Sequence, residues 1–285
     1  MLSWGWLLRC SCANLVPVPD ADAPWSPLEL PLDEGALAEA AGADWSVTLL
    51  AEAASTNAAA AASPVAGTIV VADHQTAGRG RLDRQWDTPP GTALTFSAVV
   101  DPQLADKDWP LFPLATALAV AAGVRRAADV DPRLKWPNDL LLTSDRANGK
   151  FAGILLERVA NPADPDRPLA VIGIGINVGM TRDQLPVPTA TSLAIAGARV
   201  GRTEVFAAVV AALGDVLGRL AEDPESVLDQ YRGACTTIGR HVEAYLPDGT
   251  VLKGQAEDVD EHGRLVVDGT PVGAGDVVHV RPDVT

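Results

Sequence analysis

Apolar positions along the chain switch between two periods, and the switches mark out the elements. "WSVTLLAEA" (45–53), "GTIVVADH" and "ALTFSAVV" are short β-branched runs that read as strands, the last two flanking a long polar excursion. "STNAAAAAS" (55–63) predicts a helix start with Ser55 or Thr56 as its N-cap. "PLFPLATALAVAAGVRRAADV" (110–130) predicts a buried helix, with proline near its start and arginines near its end. "RLKWPNDLLL", "GKFAGILLERV" and "LAVIGIGINV" read as three strands, the last two so apolar that they belong at the centre of a helix-covered sheet. A further helix is expected over about 203–221.

The pattern changes at each end. From Val16 to Pro31 prolines and acidic residues dominate without a sustained period, so residues 1–36 read as an irregular leader with structure starting near Leu37. After "YRGACTTIGR" come short alternating strands, with Asp-Gly turns at 248–249 and 268–269. The expected organisation is therefore a large domain over 37–234, which the resemblance given below makes the catalytic one, and a small antiparallel barrel over 235–285.

Composition narrows the function. With 285 residues and 47% hydrophobic content the chain can bury a sizeable core. Its net charge of -15 would repel a nucleic-acid backbone, so no nucleic-acid partner is expected. Cys10, Cys12 and Cys235 form no CxxC pair, which fits a reducing, cytoplasmic setting better than a disulfide framework or zinc site. "MLSWGWLLRC" is too short to span a bilayer and lacks signal-peptide features, so no membrane is implied.

Against that acidic background, "HQTAGRGRLDRQW" (74–86) concentrates Arg79, Arg81 and Arg84. Guanidinium groups suit phosphate or carboxylate, Gly78 and Gly80 let backbone N–H groups approach the same anion, and Trp86 could cover a planar base. A solvated charged loop reads equally well from these residues alone. "KWPNDLLL" offers the Lys135 charge, with Asn138 and Asp139 placed for a base edge or Mg²⁺, or simply as turn residues. Lys150 stands ahead of an apolar strand, where an ammonium clamps a carboxylate or snorkels to solvent. In "GIGINV", Gly173 and Gly175 clear one strand face for a flat ligand, with Asn177 on the same face. Neither the dinucleotide fingerprint nor a P-loop is present.

Taken in order, "STN", "QTAGRGRxxRxW", "KWPNDL", "GKxAGIL", "GIGINV" followed by "ATSL", and "GDVVHVRP" resemble the biotin protein ligases, over roughly Ser46 to Pro282. The resemblance implies an α+β fold: a mixed sheet with helices on one face, of the biotin/lipoate ligase type, then an SH3-like barrel. It implies ATP-dependent biotinylation of a carrier-protein lysine through biotinyl-5′-adenylate. Ser55, Thr56, Asn57, Gln75, Gly78, Arg79, Lys150, Gly153, Gly173 and Gly175 then correspond to biotin contacts. Arg81, Arg84, Trp86, Lys135, Asn138, Asn177 and Arg281 correspond to ATP or adenylate contacts, Asp139 to a magnesium contact, and Lys150 with Arg81 to the catalytic pair. The implied partners are biotin, Mg·ATP and the biotin carboxyl carrier domain of an acyl-CoA or pyruvate carboxylase. Asp83 departs from the family's loop pattern, and the leader is too short for the helix-turn-helix of repressor-type members. The rival readings are a lipoate or octanoyl ligase or transferase of the same fold and a non-enzymatic biotin-responsive regulator.

Overall fold

The computed structural model describes residues 31–82, 84–273 and 275–279. Expectations for Asp83, Arg281 and leader residues 1–30 lie outside the described residues.

Seven strands build the main sheet: β1 (Ser46–Ala53), β2 (Thr68–Gln75), β3 (Ala93–Val100), β4 (Arg133–Lys135), β5 (Asp139–Thr143), β6 (Asn148–Val159) and β7 (Leu169–Asn177). Their order is β1-β2-β3-β7-β6-β5-β4, with β1 parallel to β2 and every other pairing antiparallel, so the sheet is mixed as expected. "RLKWPNDLLL" is two strands rather than one. Its Trp136–Pro137 bond is cis, and the chain reverses there into the β4–β5 hairpin.

The helices are α1 (Glu34–Ala41), α2 (Thr56–Ala62), α3 (Phe112–Ala128), α4 (Leu193–Ala196), α5 (Arg202–Glu222) and α6 (Pro224–Ala234). In β7, Ile172, Ile174 and Ile176 are buried in the main core. Phe96, paired with Ile174 across β3 and β7, meets Phe206 of α5 edge-on at 5.3 Å, which fixes that side as the helix-covered face. Alternate residues, Ser97 and Gly173 among them, face the other way, where the short α2 packs over β2, β3 and β7. Helices are therefore not confined to one face. Ser55 occupies the N-cap position of α2, but its side chain makes no capping bond.

Three of the described α-helices, α1, the single-turn α4 and α6, are not expected from the pattern. α1 begins three residues before Leu37, inside the segment expected to be irregular, because the Asp33 carboxylate caps Ala36 N–H at 2.8 Å. Glu34 then accepts Leu49 N–H of edge strand β1 at 2.7 Å, and Leu37 is fully buried. α6 starts at Asp223-Pro224, where the Asp223 carboxylate caps Ser226 N–H at 3.0 Å, and buries Val227, Leu228 and Tyr231 along one face. The segment Asp106–Ala128 is long and apolar enough to cross a membrane, but 72% of its apolar stretch is buried inside the protein.

A second, five-stranded antiparallel sheet follows: β8 (His241–Tyr245), β9 (Val251–Val259), β10 (Leu265–Val267), β11 (Thr270–Val272) and β12 (Asp276–His279), in the order β11-β10-β9-β8-β12. Its form is SH3-like. The predicted Asp268-Gly269 turn joins β10 to β11 with φ of 43° and 73°, the two left-handed residues a tight hairpin requires. Trp136 ties the two sheets together, its indole N–H donating to Gly263 O at 2.9 Å and its backbone N–H to Thr237 Oγ1 at 3.0 Å.

α3 and α5 approach so closely that a Cβ on Gly123 would sit 2.6 Å from Val209 Cα. Because the obstacle is backbone, the helices must separate. Gly123→Ala is therefore expected to destabilise the fold by about 1–3 kcal/mol despite alanine's better helix propensity, read as a lowered urea midpoint.

Candidate active site

The register of the main sheet lays out the site floor. One transverse row runs Thr95, Gly175, Gly153, Asp139 across β3, β7, β6 and β5, and the next runs Ser97, Gly173, Leu155. Three glycines in two adjacent rows leave a trough above the strands. A cavity of about 110 Å³ opens there. It is bounded by Ser55, Thr56, Asn57 and Gln75 at one end and by Asn138, Asp139 and Lys150 at the other. Arg79, Arg81, Arg84 and Trp86 of the arginine loop also line it, as does Gly275 from the small sheet.

Part of the trough is filled by the protein's own side chains. A Cβ on Gly175 would lie 2.7 Å from the Trp86 indole, and one on Gly153 would lie 3.1 Å from Lys150 Nζ. A Cβ on Gly173 would collide with the Asn57 amide. The cleared face thus seats Trp86 and Asn57, and Lys150 Nζ lies 5.6 Å from the Trp86 ring centroid.

The α2 end is uncharged and buried. Thr56 N–H donates to Gln75 Oε1 at 2.8 Å, and Ser97 Oγ lies 2.6 Å from Asn57 Oδ1 and 2.8 Å from Thr56 Oγ1. Asn57 Nδ2 donates to Leu155 O at 3.2 Å and to Glu157 Oε2 at 2.7 Å. Sequence reasoning missed Ser97 and Glu157. A serine inside "ALTFSAVV" and an acid closing "GILLE" were the available signals.

The other end is ionic. Asp139 carries Lys150 Nζ at 2.5 Å on one oxygen and Lys135 Nζ at 3.5 Å on the other. Burial alone would raise the Asp139 pKa, but the charges of Lys150 and then Lys135, with hydrogen bonds from both, hold it below the ordinary carboxylate value. With both oxygens so engaged, and no group of three His, Cys, Asp or Glu side chains gathered among the described residues, these residues do not form a resident metal site. Lys150 itself is framed by Thr189 O and Thr191 N–H, which bond its backbone at 2.8 and 2.9 Å.

Three predicted contacts stand back from the cavity. Lys135 faces Asp139, and Asn177 donates to Thr191 O at 2.9 Å, holding the segment beside Lys150. Gly78 is pressed against the Trp86 carbonyl. Arg79 lines the cavity, yet its guanidinium pairs with Glu157 at 3.1 Å. The loop closes on itself through Gly80 N–H to Arg84 O at 2.7 Å and Trp86 N–H to Gly78 O at 2.8 Å, and Leu82 at its tip takes a φ of 53°.

A sheet-face trough with a neutral hydrogen-bonding end and a cationic end, followed by an SH3-like sheet, defines the biotin/lipoate ligase class of fold. Residues 53–177 match the biotin/lipoate A/B protein ligase family, and residues 237–280 match the biotin protein ligase C terminal domain. The biotin–[acetyl-CoA-carboxylase] ligase of Mycobacterium tuberculosis is 35% identical over 275 residues, covering 89% of this chain and 98% of that one. The bifunctional ligase/repressor BirA of Bacillus subtilis is 34% identical over 71% of this chain, and the match spans 62% of its own length. The Aquifex aeolicus biotin protein ligase in complex with biotin and ATP superposes with a TM-score of 0.69 at 26% identity, covering 83% of this chain and 99% of that one. The chain belongs to the biotin protein ligase family.

His279 of β12 supplies a pH test of the junction behind the site. Its Nε2 lies 3.0 Å from Thr237 Oγ1, and burial, with Lys135 and Arg240 nearby, lowers its pKa from 6.5 to about 4 against the opposing pull of Asp139. The unfolded chain's histidine takes a proton near 6.5 while the folded one stays neutral to about 4. Stability from this group is thus full above 6.5 and lost as pH falls through that window. His279→Gln should flatten this part of the plot of urea midpoint against pH.

Proposed function

We propose that this protein attaches biotin to a lysine of a biotin carboxyl carrier domain, with ATP consumed to AMP and diphosphate through biotinyl-5′-adenylate. The observation that supports it most directly is one trough joining the Ser55–Gln75 cluster to Lys150 and the arginine loop, in a chain of this family.

In the first step a biotin carboxylate oxygen attacks the α-phosphorus of Mg·ATP and diphosphate leaves. In the second, the carrier lysine's neutral amine attacks the acyl carbon, AMP leaves and the amine proton is lost. Lys150 turns from Asp139 to the carboxylate and α-phosphate oxygens, and Arg81 faces the phosphates. This is positional and electrostatic catalysis without a covalent enzyme intermediate. Asp139 holds Lys150 in place until an anion replaces it. Ser55, Thr56, Asn57 and Gln75 hold the ring of biotin, Gly153, Gly173 and Gly175 its floor, while Arg84, Trp86 and Asn138 close over the adenylate. Magnesium enters as part of the nucleotide substrate.

The same reading assigns 37–234 to catalysis and 235–285 to a barrel that closes the nucleotide end, Gly275 being its contribution to the cavity wall. It takes as acceptor the carrier domain of an acyl-CoA or pyruvate carboxylase. It locates the protein in the cytoplasm, where such carriers and ATP occur, and the net charge of -15 supports a protein that works without nucleic acid. Transfer of labelled biotin to a carrier domain, with lipoate as competitor, tests it against the lipoate reading and the regulator reading together.

Lys150→Ala should lower adenylate formation by about 2–4 kcal/mol of transition-state stabilisation, and should also lower the urea midpoint because the buried Asp139 carboxylate loses its nearer partner. ATP–diphosphate exchange measures it. Near-normal exchange would remove Lys150 from the mechanism.

A further inference from the structure

Glu157 is not among the residues lining the trough, yet its carboxylate holds two of the expected ligand contacts, Asn57 and Arg79. One side chain takes Asn57 Nδ2 at 2.7 Å and the Arg79 guanidinium at 3.1 and 3.3 Å. The consequence lies in where the protons must point.

Asn57 can present either its nitrogen or its oxygen to Glu157. Turned the other way, its carbonyl would confront the Glu157 carboxylate and the Leu155 carbonyl together, three acceptors with no proton among them. Its nitrogen therefore faces Glu157, and Oδ1 faces Ser97. Since Oδ1 only accepts, the proton in the 2.6 Å contact comes from the Ser97 hydroxyl. A hydroxyl has a single proton, so the 2.8 Å contact between Ser97 Oγ and Thr56 Oγ1 is bridged by the proton of Thr56. Gln75 Oε1, 3.1 Å from the same hydroxyl, is already served by Thr56 N–H. Thr56 Oγ1 is left with lone pairs alone to offer the cavity, and Gln75 keeps its amide nitrogen as a donor. Thr56, Asn57, Gln75 and Ser97 are all buried, so an unmatched proton here is not repaired by solvent.

We propose that Glu157 is a specificity-determining positioning residue: through Asn57 and Ser97 it sets the proton polarity of the Thr56 hydroxyl, so that Thr56 accepts beside a Gln75 amide that the Thr56 N–H already turns to donate. That pair is complementary to a ligand head with an N–H beside a C=O, the pattern of a cyclic urea. A dithiolane ring has neither group and leaves both unmatched. The inference rests on the biotin reading and explains how the same trough rejects lipoate.

The test is calorimetric titration of the full chain with biotin and with lipoate, without ATP. Glu157→Gln puts an amide in place of the carboxylate, either end of which can meet Asn57, and so releases the polarity, while Ser97→Ala cuts the relay without touching Arg79. Each should weaken biotin by roughly tenfold, about one hydrogen bond, and leave lipoate binding where it was. Glu157→Asp should retain most of the biotin affinity. Biotin binding unchanged in Glu157→Gln and Ser97→Ala would overturn the relay. Equal losses for biotin and lipoate would overturn it too, as loss of pocket shape. Weakening in Glu157→Gln alone would assign the effect to the Arg79 pair and equally overturn it. A parent protein that prefers lipoate would instead overturn the biotin reading.

Discussion

Everything at this site depends on the period of a single strand. β7 runs Ile172, Gly173, Ile174, Gly175, Ile176, with the isoleucines against the α3–α5 layer and the glycines under the ligand trough. Pairing on both sides holds it in register, Gly175 lying between Thr95 and Gly153. A slip by one residue would bury glycines in the core and fill the trough with isoleucine. Core packing and binding geometry are two readings of one alternation, so the core cannot be repacked along β7 without reshaping the site.

The two ends of the trough solve different problems. At the α2 end, buried hydroxyl and amide groups are directional because each proton has one place to go. At the Lys150 end, positive charge is held largely out of bulk water, and buried charge requires a partner. Asp139 is that partner for both Lys135 and Lys150, which is why one carboxylate stands among the cations. The Glu157–Arg79 pair does the equivalent at the root of the loop, exposed enough that its Coulomb energy alone is small.

Elements whose information is local were legible in the sequence. The period-two runs placed the long strands, "DG" placed the hairpin, and the arginine loop stood out because the rest of the chain is acidic. Other elements were not. α1 buries Leu37 alone and so shows no period, α6 lies outside the sequence reading although its apolar residues share one face, and "RLKWPNDLLL" reads as one strand although its Pro-Asn-Asp is turn chemistry. Among site residues, most of those lining the cavity were marked by motifs, whereas Ser97 and Glu157 bond Asn57 from 40 and 100 residues away. Asn177 shows the reverse case. Its motif marked it for the ligand, while its amide nitrogen is given to Thr191 O.

Trp136 is fully buried, and one core cluster runs from Leu37 through Trp136 to Val277 without a break at the junction of the two sheets. The indole N–H finds its acceptor, Gly263 O, only in the C-terminal sheet. The SH3-like portion therefore shares its core with the main sheet rather than packing as a separate body. A chain ending before it would open a hole in the catalytic core, with an orphaned donor at the bottom and the Lys135–Asp139 hairpin as its rim. Swapping this portion between relatives is accordingly core surgery: a graft succeeds only when the newcomer brings a carbonyl to the place that Gly263 now fills.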